Sequence, residues 1–297
     1  MVTQWPQCVG MQGVLPSAAP RQTTPVAESF GDFRENLGVH PRLALNSLSS
    51  ASWTLEQDLQ LCADLGVEAS SWYLDKLEAV GVDRAVSLIR ASGVRTIHVF
   101  AKGPTPCDPA QWPVERARLG TGAHVAAQLG APWLVLTTGP AGDLTWDRAA
   151  DGLARAIEPL RDHGVGIAVE QTLPIRVEVG FVHSLRDTVD LAERFDLGVV
   201  VETNYCFGER GLVDTFGRGA GRFATVQVSD LVPPSTVVPD RAVIGDGVIP
   251  TRRLIELADA SGYTGPYELE LLGPRIEAEG YDSAIRRSVA ALEPMLR

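Results

Sequence analysis

One local pattern recurs along most of the chain: an amphipathic stretch ends at a glycine, and a short apolar run follows within a residue or two. The pattern occurs at Gly66, Gly93, Gly130, Gly164 and Gly198. A glycine in this position can adopt the left-handed conformation that closes the last turn of a helix. We therefore expect helices that end at these glycines and strands that begin just after them.

Eight apolar runs have the length and composition of buried strands. They lie near residues 42–46, 67–71, 95–100, 132–137, 166–170, 198–202, 223–228 and 267–271. Helical patterns such as LEQDLQLCADL, RAVSLIRAS, DTVDLAERF and TRRLIELADA lie between them. Strands that are apolar on both faces need a parallel sheet covered by helices, and eight such units in about 250 residues are typical of a closed barrel. An open doubly wound sheet is the alternative, but no GxGxxG motif follows the first run. The sequence thus predicts an α/β fold, a (β/α)8 TIM barrel, over residues 41–297.

The first 40 residues fit neither pattern and are rich in Pro, Gly, Gln and Thr. They have no basic start and no uninterrupted apolar stretch, which argues against a signal peptide or a membrane anchor. We expect residues 1–40 to form an irregular N-terminal arm that packs on the barrel or on a neighbouring subunit, because Trp5, Val9 and Val14 are costly to leave in water. A disordered leader is the alternative.

Net charge and cysteine content limit the classes of binding partner and the cellular location that we expect. The formal net charge is -11 without any run of Lys and Arg, so nucleic acid and anionic membrane surfaces are poor partners. The four cysteines are far apart and show no metal or redox spacing. We expect free thiols, a cytoplasmic location and a small-molecule substrate.

Polar residues end four successive predicted strands. Glu170 ends GIAVE, Glu202 ends GVVVE, Gln227 lies within ATVQVSD, and Glu270 follows YEL. The carboxyl ends of barrel strands meet at one mouth, which is where barrel enzymes place their active sites. One such glutamate could be solvated at the rim or paired with a loop arginine, but four residues in register are harder to explain that way. Carboxylates this close repel unless a cation lies between them, so the pattern favours a divalent metal site.

The segment YELELLG carries a second carboxylate, Glu268, on the same strand face as Glu270. Burial of a carboxylate is costly unless a partner is present. We expect Glu268 to lie deeper in the barrel, paired with a basic or hydroxyl group, and to support the metal ligands from below.

Five segments resemble those of a known family: GIAVEQTLP, GVVVETNYCF, VQVSDLVPP, DRAVIGDGVIP and ASGYTGPYELELLG. In these segments the chain resembles the sugar isomerase/epimerase family with a xylose isomerase-like barrel. This family includes ketose 3-epimerases, inosose dehydratases and endonuclease IV-like relatives. The resemblance covers about residues 42–292. It implies homo-oligomers and one divalent metal held by Glu, Asp, His and Glu from strands 5 to 8.

Carried over by position, the implied metal ligands are Glu170, Glu202, Gln227 and Glu270, with Glu170 and Glu270 as the catalytic acid and base. Two positions depart from the family pattern, because Glu202 replaces Asp and Gln227 replaces His. Glu202 still offers a carboxylate, whereas Gln227 offers only a neutral carbonyl oxygen. An all-oxygen ligand set favours Mg²⁺ or Mn²⁺ over zinc.

The resemblance also implies a substrate-binding set. Where relatives often carry histidines after strands 5 and 6, this chain has Leu173 and Tyr205, which suit a small polyol less well. Asp230 is expected to support the metal ligands or to cap a helix. The other residues expected at the pocket are Arg241, Trp72, Lys76, Trp53 and His98. The alternatives are exposed surface positions for Arg241 and Lys76, a core or helix-start role for Trp53 and a core position for His98.

These expectations define one reaction class, proton abstraction next to a carbonyl that has an adjacent hydroxyl. Return of the proton gives epimerisation or isomerisation, and loss of a β-substituent gives dehydration or cleavage of a keto-glycoside. The apolar replacements favour a glycoside or another large, natural-product-like ketone. A non-catalytic barrel that serves as a binding subunit is the alternative, favoured by Gln227. A multi-metal nuclease is not expected, because the chain is acidic and has only 5 histidines.

Overall fold

The structure, a computed structural model, describes residues 39–297. The predicted arm over residues 1–40 lies outside the described residues except for its last two. Eight parallel strands form a closed barrel in chain order, β1 to β8. Their bounds are Leu43–Asn46, Ala69–Tyr73, Arg95–Ala101, Trp133–Thr137, Gly166–Glu170, Gly198–Glu202, Phe223–Val228 and Tyr267–Leu269. Pairing of β1 with β8 closes the barrel, so the predicted (β/α)8 fold is confirmed.

Helices connect the strands and cover the barrel. In residues 39–297 they are α1 Leu55–Leu65, α2 Leu74–Val80, α3 Val82–Ser92, α4 Trp112–Gln128, α5 Trp146–Ile157, α6 Leu185–Phe195, α7 Thr203–Cys206, α8 Leu212–Gly219, α9 Thr251–Ala260, α10 Pro274–Glu279 and α11 Tyr281–Leu292. The bounds of α1 and α9 coincide with the amphipathic stretches that the sequence singles out. Helix α1 begins at a capping box of Thr54 and Gln57, which satisfies backbone groups that the first turn leaves free.

The predicted glycine caps hold at four of the five junctions. Gly66, for example, has φ 68° and closes α1. Gly198 is the exception, since α6 is closed by Asp196 at φ 52° and Gly198 already lies in β6. A Cβ at Gly198 would lie 2.7 Å from the Trp133 ring. The glycine there makes room for a tryptophan in the barrel interior, a contact that local sequence does not reveal.

The apolar core has two layers. The larger layer lies between strands and helices. Inside the barrel, small clusters fill the lower part, one of them formed by Val135, Ala168, Val200 and Ala224. A packed floor of this kind leaves the carboxyl-terminal half of the barrel for polar side chains.

Two findings concern the described part as a whole. Its three cysteines, Cys62, Cys107 and Cys206, are not in disulfides. None of the helices in residues 39–297 is long and apolar enough to cross a membrane.

Candidate active site

Three buried glutamates meet at the carboxyl-terminal end of the barrel. Glu170 and Glu202 end β5 and β6, and Glu270 follows β8. One carboxylate oxygen from each lies within 4.8 Å of the other two. The period of two along each strand explains the convergence, because Ala168 and Val200, two residues earlier, point into the barrel interior. The sequence prediction that these strand ends share one mouth agrees with this geometry.

Arg241 supplies positive charge at the same point. Its Nη1 lies 2.5 Å from Glu202 Oε2 and 2.6 Å from Glu270 Oε2, and the residue is 2% exposed. The contact with Glu270 has the distance of an ion pair without hydrogen-bond geometry. Burial opposes its charge, yet Glu202 and Glu270 hold the pKa of Arg241 well above its ordinary value. With one guanidinium among three carboxylates, the fully ionised cluster carries two uncompensated negative charges.

Burial and the uncompensated negative charge raise the pKa values of Glu170 and Glu270. Burial, reinforced by the charge of Glu202, raises the pKa of Glu170 to about 8. Burial also raises the pKa of Glu270 well above its ordinary value, although Arg241 opposes the shift. Without a further cation, the cluster therefore retains a proton at neutral pH.

Gln227 of β7 lies in strand register with Glu202 on one side and Glu268 on the other. Its side chain is 1% exposed, and neither amide atom has a hydrogen-bond partner among residues 39–297. Unpaired buried amides are rare because they cost free energy. A hard divalent cation would fit this cluster. Its charge would balance the two uncompensated negative charges, and three carboxylates with one unpaired amide oxygen are donors of the type it prefers.

Three polar residues that the sequence analysis missed hold the glutamates in place. Asn46, at the end of β1, donates from Nδ2 to Glu270 Oε1 at 3.3 Å. The backbone N–H of Asn204 donates to Glu202 Oε1 at 2.8 Å, and Gln171 Nε2 donates to the Glu202 carbonyl at 3.3 Å. Asn46 is the last residue of its predicted strand, the same signal that identified the glutamates.

Glu268 lies below the three glutamates with two partners. Ser71 donates its hydroxyl to Oε1, and His98 Nε2 lies 3.0 Å from Oε2. Glu268 thus has both a hydroxyl partner and a basic partner, the two kinds that the sequence analysis expected. His98 is fully buried in this pair and does not line the mouth, which corrects its predicted position near the substrate.

Asp230 supports Arg241 through the backbone. Its carboxylate accepts four N–H groups at 2.8–3.0 Å, those of Leu231, Gly245, Gly247 and Ile249. The backbones of Asp230 and Ala242 also exchange two hydrogen bonds. Asp230 therefore fixes the segment that carries Arg241, and none of its hydrogen bonds reaches the four predicted metal ligands.

Tyr205 packs on the guanidinium of Arg241. The arginine Cζ lies 5.3 Å from the ring centroid, and Nη2 donates to the hydroxyl at 3.4 Å. Burial raises the pKa of Tyr205 to about 12, so it stays neutral. Leu173, three residues after Glu170, is half-buried. The sequence analysis missed an aromatic pair, formed by Tyr73 at the end of β2 and Phe100 near the end of β3. Their ring centroids lie 5.6 Å apart.

Three of the residues predicted to bind substrate make contacts with other side chains of the protein. Trp72 is fully buried in the layer between strands and helices, where Nε1 donates to Thr96 Oγ1, which corrects its predicted place in the pocket. Lys76 is 8% exposed and pairs with Asp58 at 2.6 Å beneath the segment after β1, another correction. Trp53 packs edge-on against Tyr281 with centroids 5.8 Å apart.

Comparison with known proteins adds a family match. A family model described as "Xylose isomerase-like TIM barrel" matches residues 59–293, which is more than half of the chain. No curated protein sequence matches this chain.

Solved structures share the fold at low sequence identity. Protein SMc04130 from Sinorhizobium meliloti 1021 is 22% identical with a TM-score of 0.74, over 86% of this chain and 98% of that one. The IOLI protein, solved with a binding zinc atom, is 15% identical with a TM-score of 0.73 over the same shares. D-Psicose 3-epimerase from Clostridium cellulolyticum H10, solved with D-tagatose, is 14% identical with a TM-score of 0.65, again over 86% and 98%.

Proposed function

The chain belongs to the xylose isomerase-like TIM barrel family, and from this premise we propose that it is a divalent-metal-dependent isomerase, epimerase or lyase. The reaction class is proton abstraction next to a substrate carbonyl. The observation that carries the proposal is the buried cluster of Glu170, Glu202 and Glu270, whose oxygens lie within 4.8 Å of one another. Neighbouring structures that include a zinc-bound protein and a ketose epimerase support it.

In this proposal Glu170, Glu202, Gln227 and Glu270 would hold one Mg²⁺ or Mn²⁺. When bound, such an ion polarises a substrate carbonyl and adjacent hydroxyl and so acidifies the neighbouring C–H group. The unpaired Gln227 oxygen supports its inclusion in the ligand set. Arg241, next to Glu202 and Glu270, binds the developing negative charge on the substrate oxygen.

Glu170 is the better candidate for the residue that moves protons. No hydrogen bond to its carboxylate is present among residues 39–297, whereas the carboxylates of Glu202 and Glu270 accept hydrogen bonds. In the metal-free cluster burial raises the pKa of Glu170 to about 8, and a bound cation would lower that pKa towards the range in which the carboxylate accepts a proton. Glu270, held by Asn46 and Arg241, acts on the opposite face.

The substrate we infer is a keto-sugar that carries a large apolar group, such as a keto-glycoside. Leu173 and the Tyr205 ring stacked on Arg241 support this choice, because neither offers the paired donors that a small polyol needs. A cytoplasmic location and a homo-oligomeric state complete the proposal.

A second candidate is a barrel that binds a ligand or partner without a metal. The observation in its favour is that Arg241 already pairs with Glu202 and Glu270, two of the residues that would hold a metal ion. The three carboxylates argue against it, since one guanidinium leaves two charges uncompensated in a buried cluster.

Solvent exchange tests the proposed function. The protein is incubated in D₂O with Mn²⁺ or Mg²⁺ and a panel of ketoses and keto-glycosides, and ¹H NMR follows the C–H signal next to the carbonyl. We expect metal-dependent loss of that signal for at least one compound, and its abolition in Glu170→Gln and Glu270→Gln. Exchange that persists with EDTA and in both variants would contradict the proposal.

A further inference from the structure

Arg241 contacts one oxygen of each of two glutamates. Its Nη1 lies 2.5 Å from Glu202 Oε2 and 2.6 Å from Glu270 Oε2. The other oxygen of each carboxylate accepts from an uncharged donor. Glu202 Oε1 accepts from the Asn204 backbone N–H at 2.8 Å, and Glu270 Oε1 accepts from Asn46 Nδ2 at 3.3 Å. Among residues 39–297, the two oxygens without such a donor are therefore those that contact Arg241.

The guanidinium makes few hydrogen bonds for a buried ion pair. Strong pairs between arginine and a carboxylate use two parallel N–H groups. Here one nitrogen contacts both carboxylates, and its contact with Glu270 Oε2 lacks hydrogen-bond geometry. Nε has no acceptor among residues 39–297, and Nη2 donates to the Tyr205 hydroxyl at 3.4 Å. Arg241 thus supplies charge to the cluster more than hydrogen bonds, and another cation can supply charge in its place.

A divalent cation held by the same glutamates would lie close to this guanidinium. Both charges attract the carboxylates and repel each other, and Arg241 is little screened by water because it is 2% exposed. The free energy of metal binding therefore includes the cost of displacing or tolerating Arg241.

Tyr205 offers the guanidinium a second contact. The arginine Cζ lies 5.3 Å from the ring centroid, and an aromatic face attracts a cation without using its N–H groups. The Arg241 backbone N–H donates to the Leu272 carbonyl at 2.7 Å, which fixes the main chain. A shift away from the glutamates therefore needs only a movement of the side chain.

We propose that Arg241 is a built-in counter-ion that competes with the metal ion for Glu202 Oε2 and Glu270 Oε2. Arg241 leaves these oxygens when the ion binds, and its N–H groups become available to the substrate oxygen while the guanidinium stays on the Tyr205 ring. The inference rests on the proposed function, because it concerns the regulation of the same site. It implies that metal binds before substrate, and less tightly than the carboxylates alone would allow.

Isothermal calorimetry of the metal-free protein with Mn²⁺ tests the competition. Arg241→Met keeps an unbranched side chain and removes the charge, so we expect it to bind Mn²⁺ about tenfold more tightly than the wild type. An arginine that only positions the glutamates would give the opposite sign. Arg275→Met is the matched control, because it removes the same charge from α10, where the side chain is 44% exposed. Its affinity for Mn²⁺ should stay within about twofold of the wild type.

Arg241→Ala, purified in methylguanidinium chloride, provides a second test if Arg241→Met folds poorly. Methylguanidinium fits the space that the side chain vacates and restores the positive charge. Rising methylguanidinium should weaken Mn²⁺ binding to Arg241→Ala and leave the wild type unchanged, with KCl at equal ionic strength as the control. Binding to Arg241→Ala that does not respond to methylguanidinium would overturn the inference.

Failure of this inference is distinguishable from failure of the proposed function. If Arg241→Met binds one ion per chain with equal or lower affinity than the wild type, the inference is overturned and the proposed function stands. Binding to Arg241→Met but not to the wild type would support the inference and contradict the proposed function. Absence of binding to the wild type and to all three variants would overturn both.

Discussion

Replacement of Asp230 by alanine should destabilise the barrel and release the segment that carries Arg241. The side chain is 1% exposed and accepts four backbone N–H groups, those of Leu231, Gly245, Gly247 and Ile249. Each buried N–H left without an acceptor costs about 1–3 kcal/mol. Because three of these groups are only partly buried, we take the lower bound, which gives about 4 kcal/mol for the four.

For a chain of this size, about 4 kcal/mol lowers Tm by roughly 8–16 °C. Differential scanning fluorimetry and urea unfolding measure the loss. Asp230→Asn keeps one carbonyl oxygen for Leu231 and Ile249 and turns an amide towards Gly245 and Gly247, so about half of the loss is expected.

Asp246→Ala is the matched control, since it removes an aspartate from the same loop. The Asp246 side chain is 42% exposed and pairs with Arg287, so a Tm change within about 2 °C is expected. If Asp230→Ala and Asp246→Ala unfold at the same temperature, Asp230 does not fix this loop.

Three further perturbations have defined outcomes. In EDTA, Tm should fall as pH rises from about 5 to 8, because Glu170, with its pKa raised from 4.5 to about 8, holds a proton that the unfolded chain releases; thermal unfolding of Glu170→Gln should show a flatter profile. Lys76→Met should cost about 3–5 kcal/mol in urea unfolding at pH 8, because it leaves Asp58 buried without its partner. Burial already raises the pKa of Asp58 to about 6, so the cost should shrink at pH 5, and equal costs would count against a buried ion pair. Gln227→His should tighten Zn²⁺ binding by roughly tenfold in a competition titration, because imidazole suits zinc better than an amide oxygen; unchanged affinity would place residue 227 outside the ligand set.

The sequence predicts the barrel well because its signals are local. The amphipathic period of α1 and the apolar run of β5 depend only on neighbouring residues, and both elements have the predicted bounds. Gly198 departs from the pattern because its small size is required by Trp133, which is distant in sequence.

The site is predictable only where strand ends define it. Glu170, Glu202 and Glu270 follow from the period of β-strands and the geometry of a barrel. Arg241 reaches them from a loop, and nothing in the local sequence gives its 2.5 Å contact with Glu202. Trp72 lies on the outer face of β2, one residue after Ser71, whose hydroxyl points inward to Glu268. The alternation of faces along a strand accounts for this position, whereas the resemblance that places Trp72 in the pocket does not register it.

A titration of the metal-free protein with Mn²⁺ by isothermal calorimetry tests the central claim most directly. We predict one ion per chain for the wild type, binding that is lost or greatly weakened in Glu270→Gln, and unchanged binding in Glu277→Gln, which removes the same charge from an exposed position on α10. Absence of stoichiometric binding to the wild type, with Mg²⁺, Co²⁺ and Zn²⁺ also tried, would contradict a metal-dependent mechanism. Undiminished binding in Glu270→Gln would place the ion elsewhere.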